Sequence, residues 1–287
     1  MPAPVLLAVH AMATRFELVL HGDDAMRLRA AGEEALAEIT RAEQLLSAYA
    51  PASDIGRINR DGAAGPVRVM AETCRVLRQC LGLARATHGA FDVTVGPLVR
   101  LWRAAGEVGV VPDAAAIAEA RLLVGADQVI VDEDALTVAL ARPGVAIDLG
   151  AAGKGYAIDL AIGVLREHGV TSALLHGGTS SVHVIGHPPG DDAWPIGWDG
   201  PNGGIRLRDG ALAVSAPHGR AFEVDGVSYG HVLDPATGEP VQQARGAGVT
   251  GPSSLVCDAC STALLVRGPS WLPEFRQRWP GYDGWTR

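Results

Sequence analysis

Apolar residues open the chain as a short continuous run and soon settle into a period of three to four. Val5 to Val9 reads as an opening strand and Thr14 to His21 as a second. Leu28, Ala31, Ala35, Ile39, Ala42 and Leu46 then recur at intervals of three and four, which is one face of a long amphipathic helix. The Ser47 to Asn59 stretch, with its Ser, Pro and Asp residues, reads as a loop. A second helix carries Cys74, Leu77, Leu81 and Ala84 and is stopped by Thr87-His88-Gly89. A third begins near Pro97 with Leu98, Leu101 and Trp102, and Pro112-Asp113 opens a short fourth that runs to about Leu122.

The remainder alternates mostly in the manner of strands. These are Gln128 to Asp132, Leu136 to Leu140, Val145 to Leu149, Ser172 to His176, Val182 to Ile185 and Pro195 to Asp199. Ile205 to Leu207, Leu212 to Ser215, Ala221 to Val224 and Val227 to Val232 follow, the last two joined by an Asp225-Gly226 hairpin turn. Helices interrupt at Tyr156 to Glu167 and Val256 to Val266. Helices and strands come in blocks without strict alternation, so the pattern predicts an α+β fold over a doubly wound parallel sheet. One domain spanning 1–287 is expected. The Ala105 to Pro112 loop is the sole candidate for an internal boundary.

Composition narrows the function more than the fold. The 287 residues are 48% apolar and 20% charged, ordinary for a globular chain able to bury a core. A net charge of -8 without a Lys/Arg cluster argues against nucleic acid as a partner. No run approaches the roughly 18 apolar residues of a membrane span. Met1 to His10 lacks a basic leader region, so a cytoplasmic protein is expected. Four cysteines suit that compartment. Cys257 and Cys260 form one isolated C-x-x-C, which without a second ligand pair is a weak zinc signal. His176, His183 and His187 have no acidic companion in the local sequence and do not read as a metal site.

Three segments carry candidate chemistry. Asp148-Leu149-Gly150-Ala151-Ala152-Gly153-Lys154-Gly155-Tyr156 links an expected strand to a helix, where small residues let backbone N–H groups approach an anion and Lys154 adds a full charge. Its order is neither G-x-x-x-x-G-K-[ST] nor G-x-G-x-x-G, and a tight turn without a ligand is the bland alternative. Asp258 and Thr262 lie four apart in a helical pattern, offering hard oxygens for Mg²⁺. The alternative there is a helix cap and its solvated neighbour. His231, before the Asp234-Pro235 turn, is either an acid or base at a strand edge or a polar residue flanking a turn.

Taken in order, the motifs resemble the FAD:protein FMN transferase (ApbE-like) family from about Met12 to Gly268. Met12-Ala13-Thr14 is similar to the family's Met-Gly-Thr, and Ser47-Ala48-Tyr49, Ser53-Asp54-Ile55 and Arg57-Ile58-Asn59 to its S-x-Y, S-[DE]-I and R-[IL]-N. Gly89 to Val99 resembles G-A-F-D-P-T-V-G-P-L-V, and Asp148 to Asp159 resembles D-L-G-G-I-A-K-G-Y-A-V-D. His231 to Gly238 is similar to H-I-I-D-P-R-T-G, and Asp258 to Thr262 to D-A-x-x-T. The resemblance implies an ApbE-like, T-fold-like arrangement of mixed or antiparallel sheets with helices, and an active site in a cleft between two lobes. It implies Mg²⁺-dependent cleavage of the FAD pyrophosphate, with FMN passed to a Thr or Ser hydroxyl of a target protein and AMP released.

By position, Asp258, Thr262 and the backbone carbonyl of Gly153 would hold the metal. Lys154 would lie against the phosphates, beside Asp148 and Gly155. Tyr49 would border the isoalloxazine with Met12 nearby, Asp92 and Thr94 would shape the nucleotide pocket, and His231 would be the base. Departures from the family pattern are Thr179-Ser180-Ser181 after Gly177-Gly178 where an acidic residue is usual, Val214-Ser215-Ala216 for T-S-G, and Val93 for proline. They leave an FAD pyrophosphatase yielding FMN and AMP, or a non-catalytic flavin-binding protein, as alternatives.

Overall fold

The structure is a computed structural model that describes residues 2–197, 204–217, 221–242 and 245–287. The N-terminal hairpin, β1 (Val5–Ala11) and β2 (Thr14–Leu20), leads into α1 (Ala25–Leu46), α2 (Asp54–Asp61), β3 (Val67–Arg68), α3 (Ala71–Ala86), α4 (Gly96–Val108) and α5 (Ala114–Arg121). Strands β4 (Val129–Asp132) and β5 (Thr137–Leu140) precede α6 (Gly153–Glu167). Next come β6 (Ala173–Gly177), β7 (Ser181–Ile185), β8 (Trp194–Ile196), β9 (Ile205–Leu207) and β10 (Gly210–Ser215). The hairpin β11 (Ala221–Val224) and β12 (Val227–Gly230) precedes the pair β13 (Leu233–Asp234) and β14 (Glu239–Pro240). The chain ends with β15 (Ala247–Gly251), α7 (Ser254–Arg267), α8 (Leu272–Arg278) and β16 (Asp283–Thr286).

Seven strands form one antiparallel sheet in the order β1-β2-β6-β7-β10-β15-β16, and β3-β5-β4 form a small separate one. This is the α+β class expected. Helices α1, α6 and α7 pack side by side against the large sheet. The main core runs without a break from α2 and α3 (Ile55, Leu77, Cys80) to α7 and α8 (Cys260, Leu264, Phe275). A second cluster lies under α1 and α6, where Phe16, Leu18, Ile39 and Ile158 are fully enclosed.

The periodic helices appear where expected, but three expectations need correction. The Ser47 to Asn59 loop contains α2, which is N-capped by Ser53 Oγ accepting from Gly56 N (2.8 Å) and anchored by buried Ile55 and Ile58. Eight residues were too few to register a period against the surrounding Ser, Pro and Asp. Val145 to Leu149 is extended but is no strand: a single bridge joins Ala146 to Val95. Its backbone is instead held by side chain and loop. Asn59 receives Ile147 N–H and donates to Ile147 O (2.7 and 2.8 Å), and Asp148 N donates to Val93 O (2.7 Å). The strand expected over Val227 to Val232 ends at Gly230, and the end of the one expected at Pro195 to Asp199 lies outside the described residues.

Strands β15 and β16 carry no strand signature because β15 reads Ala-Gly-Val-Thr-Gly. The glycines are required by the neighbouring strand and its lead-in. A Cβ on Gly248 would sit 2.2 Å from Trp285 Cζ2, and one on Gly251 2.0 Å from Tyr282 Cδ1. Two aromatic side chains thus fill the space that the glycines vacate, and pairing plus packing outweighs local propensity.

Candidate active site

Helices α6 and α7 meet at their N-termini and cap each other. The α6 N-cap is Ala152, which has no side-chain oxygen, so a first-turn amide must look elsewhere for a partner. Gly155 N donates to Asp258 Oδ2 of α7 at 3.1 Å. In return, Asp159 of α6 receives Ser254 N (2.7 Å), Leu255 N (3.0 Å) and the Ser253 hydroxyl (2.7 Å) at the start of α7. Each carboxylate lies at the positive end of the other helix, where charge-assisted hydrogen bonds are strong.

The two carboxyls respond differently to this placement. Burial pushes Asp258 above the usual carboxylate range, against the pull of the Lys154 ammonium and the Gly155 N–H. Burial acts on Asp159 in the same sense, but hydrogen bonds from His183, Leu255, Ser253 and Ser254 outweigh it and hold that carboxyl below its ordinary value. Asp258 is therefore a buried carboxylate with a single hydrogen bond among the described residues, and a nearby cation would favour its ionised form. Among the described residues only its Oδ2 accepts a hydrogen bond. Ser253, and not Asp258, is the N-cap of α7, while Asp258 is 4% exposed and its carboxylate takes a first-turn amide of α6.

Close approach of the helices depends on Gly155. A Cβ there would lie 2.3 Å from Ser254 O, 2.6 Å from Ser254 C and 2.9 Å from Asp258 Cβ, all parts of α7 that cannot rotate away. Gly155→Val is expected to cost about 1–3 kcal/mol by forcing α6 from α7, as overpacked cores do, read as a lower denaturant midpoint. An unchanged midpoint would contradict the dependence of this packing on Gly155.

The loop before α6 spends most of its amides internally. Gly150 N donates to Asp148 Oδ1 (2.7 Å), and Ala152 N and Gly153 N both donate to Leu149 O. With Gly155 N on Asp258, four of the N–H groups that the sequence offered to an anion have protein partners. Lys154, half-buried in the first turn of α6, is the cation at this junction.

Thr262 lies one turn along α7 from Asp258. Its hydroxyl is 3.3 Å from Asp258 O and 3.1 Å from Ser215 Oγ, while Ser215 Oγ is also 2.8 Å from Ser261 Oγ. The serine of the altered Val214-Ser215-Ala216 segment thus remains hydrogen-bonded to the expected metal-side threonine. The Asp258 carboxylate and the Thr262 hydroxyl are hard oxygens one helical turn apart on α7. Among the described residues no cluster of three or more His, Cys, Asp or Glu side chains has a metal-holding arrangement.

On the other side of the loop, Asp148 Oδ2 is 3.5 Å from the hydroxyl of Tyr49, an exposed ring with the Arg103 guanidinium 5.5 Å from its centroid. Burial, then the Asp148 charge, pushes the Tyr49 phenol up. Met12 and Ala13 form the two-residue turn between β1 and β2, with φ of 51° and 56°, and Met12 N donates to Glu43 Oε1 (2.5 Å). Positive φ at both positions defines the hairpin turn that favours glycine. Ala13→Gly is expected to stabilise the chain by about 0.5–1 kcal/mol, since left-handed backbone costs a non-glycine residue 1–2 kcal/mol before the entropy of glycine is subtracted. Chemical denaturation checks this, and a loss of stability would contradict it.

Asp92 and Thr94 are buried and brace their loop. Asp92 Oδ1 accepts from Thr94 N (2.8 Å) and Thr94 Oγ1 (2.6 Å), and Thr94 Oγ1 receives Gly125 N (2.7 Å). Burial raises the Asp92 carboxyl despite these bonds. The same loop borders a cavity of about 390 Å³ lined by Gly89, Ala90, Asp234, Ala236, Arg267 and Trp271 among others, so the Gly89 and His231 motifs share a wall. His231 itself is exposed, between β12 and β13.

The local sequence around Asp159, His183, Ser215 and Ser254 assigns none of them a role in the site. Buried His183 places Nδ1 2.8 Å from Ser254 Oγ and 3.6 Å from Asp159 Oδ1, so it does have an acidic companion, as does His176 in Glu17 at 2.9 Å. Asp159 closes the Asp148 to Asp159 motif, which was the available signal. For His183 and Ser215 no local pattern exists, since their partners are 24 or more residues away. The four cysteines are buried and free, and burial raises the Cys260 thiol to about 12.

A profile described as the ApbE family matches residues 12–283. The chain belongs to the ApbE family. Family members with curated names include the FAD:protein FMN transferase of Treponema pallidum, 30% identical over 280 residues that cover 90% of this chain and 77% of that protein. The FAD:protein FMN transferase of Klebsiella pneumoniae is 31% identical, covering 88% and 82%. The crystal structure of the ApbE protein from Thermotoga maritima superimposes with a TM-score of 0.88 at 31% identity, over 99% of this chain and 94% of that one. The family match and the structural likeness thus both extend over nearly the whole chain.

Proposed function

We propose that this chain transfers the FMN half of FAD to a Thr or Ser hydroxyl of an acceptor protein and releases AMP, using Mg²⁺ held by Asp258, Thr262 and the backbone carbonyl of Gly153. Its ApbE kinship makes it an enzyme of flavin transfer. The observation that carries the finer reading is the meeting of two helix N-termini around Asp258 with Lys154 in the same turn, at Gly155 N to Asp258 Oδ2. Such a junction attracts anions, yet contains one buried carboxylate that calls for a cation. One carboxylate and two neutral oxygens suit an ion that keeps waters and completes its shell with phosphate oxygens. When bound, Mg²⁺ would neutralise charge on the pyrophosphate.

The chain's own residues supply the rest. Lys154 binds the phosphates and offsets charge developing on them. Tyr49, Met12 and Asp148 border the flavin side, while Gly155 holds the phosphate-facing turn of α6 against α7. Asp92 and Thr94 shape the nucleotide pocket by fixing their loop. The acceptor oxygen attacks the phosphorus that bears the riboflavin, and its proton passes to His231. The bond from that phosphorus to the bridging oxygen breaks, and AMP leaves with the oxygen. The four buried free thiols suit a reducing cytoplasm, and among the described residues no helix is long and apolar enough to cross a membrane.

The test is incubation with FAD, Mg²⁺ and an acceptor protein, followed by a denaturing gel. The expected result is flavin fluorescence on the acceptor band, abolished by a chelator. FAD binding without any fluorescent acceptor overturns the transferase reading.

A further inference from the structure

Trp102, on α4, touches both flanks of His231 without belonging to any motif. Its ring stacks on Tyr229, two residues before His231, with centroids 5.4 Å apart and planes 26° apart. Its Nε1–H donates to Gly238 O at 2.7 Å, at the far end of the Asp234 turn. Leu233, two residues after His231, is buried in the same cluster with Trp102, Leu98 and Ile117. The exposed histidine thus lies between two chain segments that both reach Trp102, while adjoining Val232 packs against the main core.

The β11–β12 hairpin completes the arrangement. Phe222 stacks on Tyr229 (5.4 Å) and lies over Gly106, where an added Cβ would approach Phe222 Cδ1 to 3.0 Å. Gly230, just before His231, backs onto Pro217 so closely that a Cβ would meet Pro217 O at 2.1 Å. Since this cluster is separate from the main core, its rigidity serves the hairpin and turn more than global stability.

We propose that Trp102 is a positioning residue for His231, fixing the backbone on both sides of the imidazole so that it meets the acceptor hydroxyl. The inference rests on the reading of His231 as the base. A side chain that acts only by placing a catalytic group loses its effect once that group is removed, which a double-mutant cycle detects.

The test measures AMP release at saturating FAD, Mg²⁺ and acceptor, with FAD dissociation constants, for the wild type, Trp102→Leu, His231→Ala and the double variant. Expected are a tenfold or greater loss of turnover in Trp102→Leu, FAD affinity within twofold of wild type, and a double variant within twofold of His231→Ala. Trp102→Phe, which keeps the stack and loses the donor, should fall between wild type and Trp102→Leu, and it carries the cycle if the leucine variant does not fold. The same fold-loss in both backgrounds, or wild-type turnover in both Trp102 variants, overturns the positioning role alone. Wild-type turnover in His231→Ala overturns the base assignment, and the positioning role with it.

Discussion

Asp258→Asn is expected to lower flavin transfer by about 10³-fold at saturating FAD while the protein stays folded, a loss of about 4 kcal/mol in transition-state stabilisation. Asparagine has nearly the same shape and keeps an oxygen to accept from Gly155 N, so the α6–α7 junction survives. What disappears is the negative charge, which matters to a bound cation and not to packing. Without Mg²⁺ the substitution should even stabilise. The Asp258 carboxyl is raised in the folded state, so its ionised form costs stability, and the cost grows as pH rises from the unfolded carboxylate value toward the folded one. The variant should therefore melt above wild type near pH 7, with the difference vanishing near pH 3. Wild-type turnover at limiting Mg²⁺, or a lower melting temperature at pH 7 without metal, would contradict the assignment.

His231→Ala should slow transfer by about 10²-fold and leave FAD affinity within twofold, the usual contribution of a general base. The side chain is exposed, so truncation opens no cavity, and the anchoring of its flanks on Trp102 does not use the imidazole. Added imidazole should recover part of the lost rate, which a structural role would not allow. Titration of FAD binding with AMP release measured in parallel separates the outcomes. Equal loss of binding and turnover would make His231 a structural residue.

Much of the candidate site is legible because its parts lie in short motifs. The Asp148 to Asp159 and Asp258 to Thr262 segments announced their helices by period, and Lys154 and Asp258 by chemistry. The sequence could not reveal that Asp258 would take the amide of Gly155, 103 residues away, so the Gly-rich loop suggested an open anion cradle. Nor could it reveal Asp159 as the acceptor for the first amides of α7, or Ser215 beside Thr262, because such pairs are set by how α6, α7 and β10 pack. The extended Val145 to Leu149 segment has the composition of a strand, yet Asn59 and Val93 satisfy its backbone in place of a neighbouring strand. Strand β15 is the converse, a Gly-rich segment that pairs because Trp285 and Tyr282 fill the room its glycines leave.

The proposed transfer places a protein hydroxyl, and not water, on the flavin phosphate. Intact-mass measurement of the acceptor after reaction with FAD and Mg²⁺, with AMP quantified in the same sample, tests it most directly. The expected result is one added FMN less one water per modified site, matched one to one by AMP. AMP accompanied by free FMN and an unmodified acceptor would contradict it and identify a pyrophosphatase.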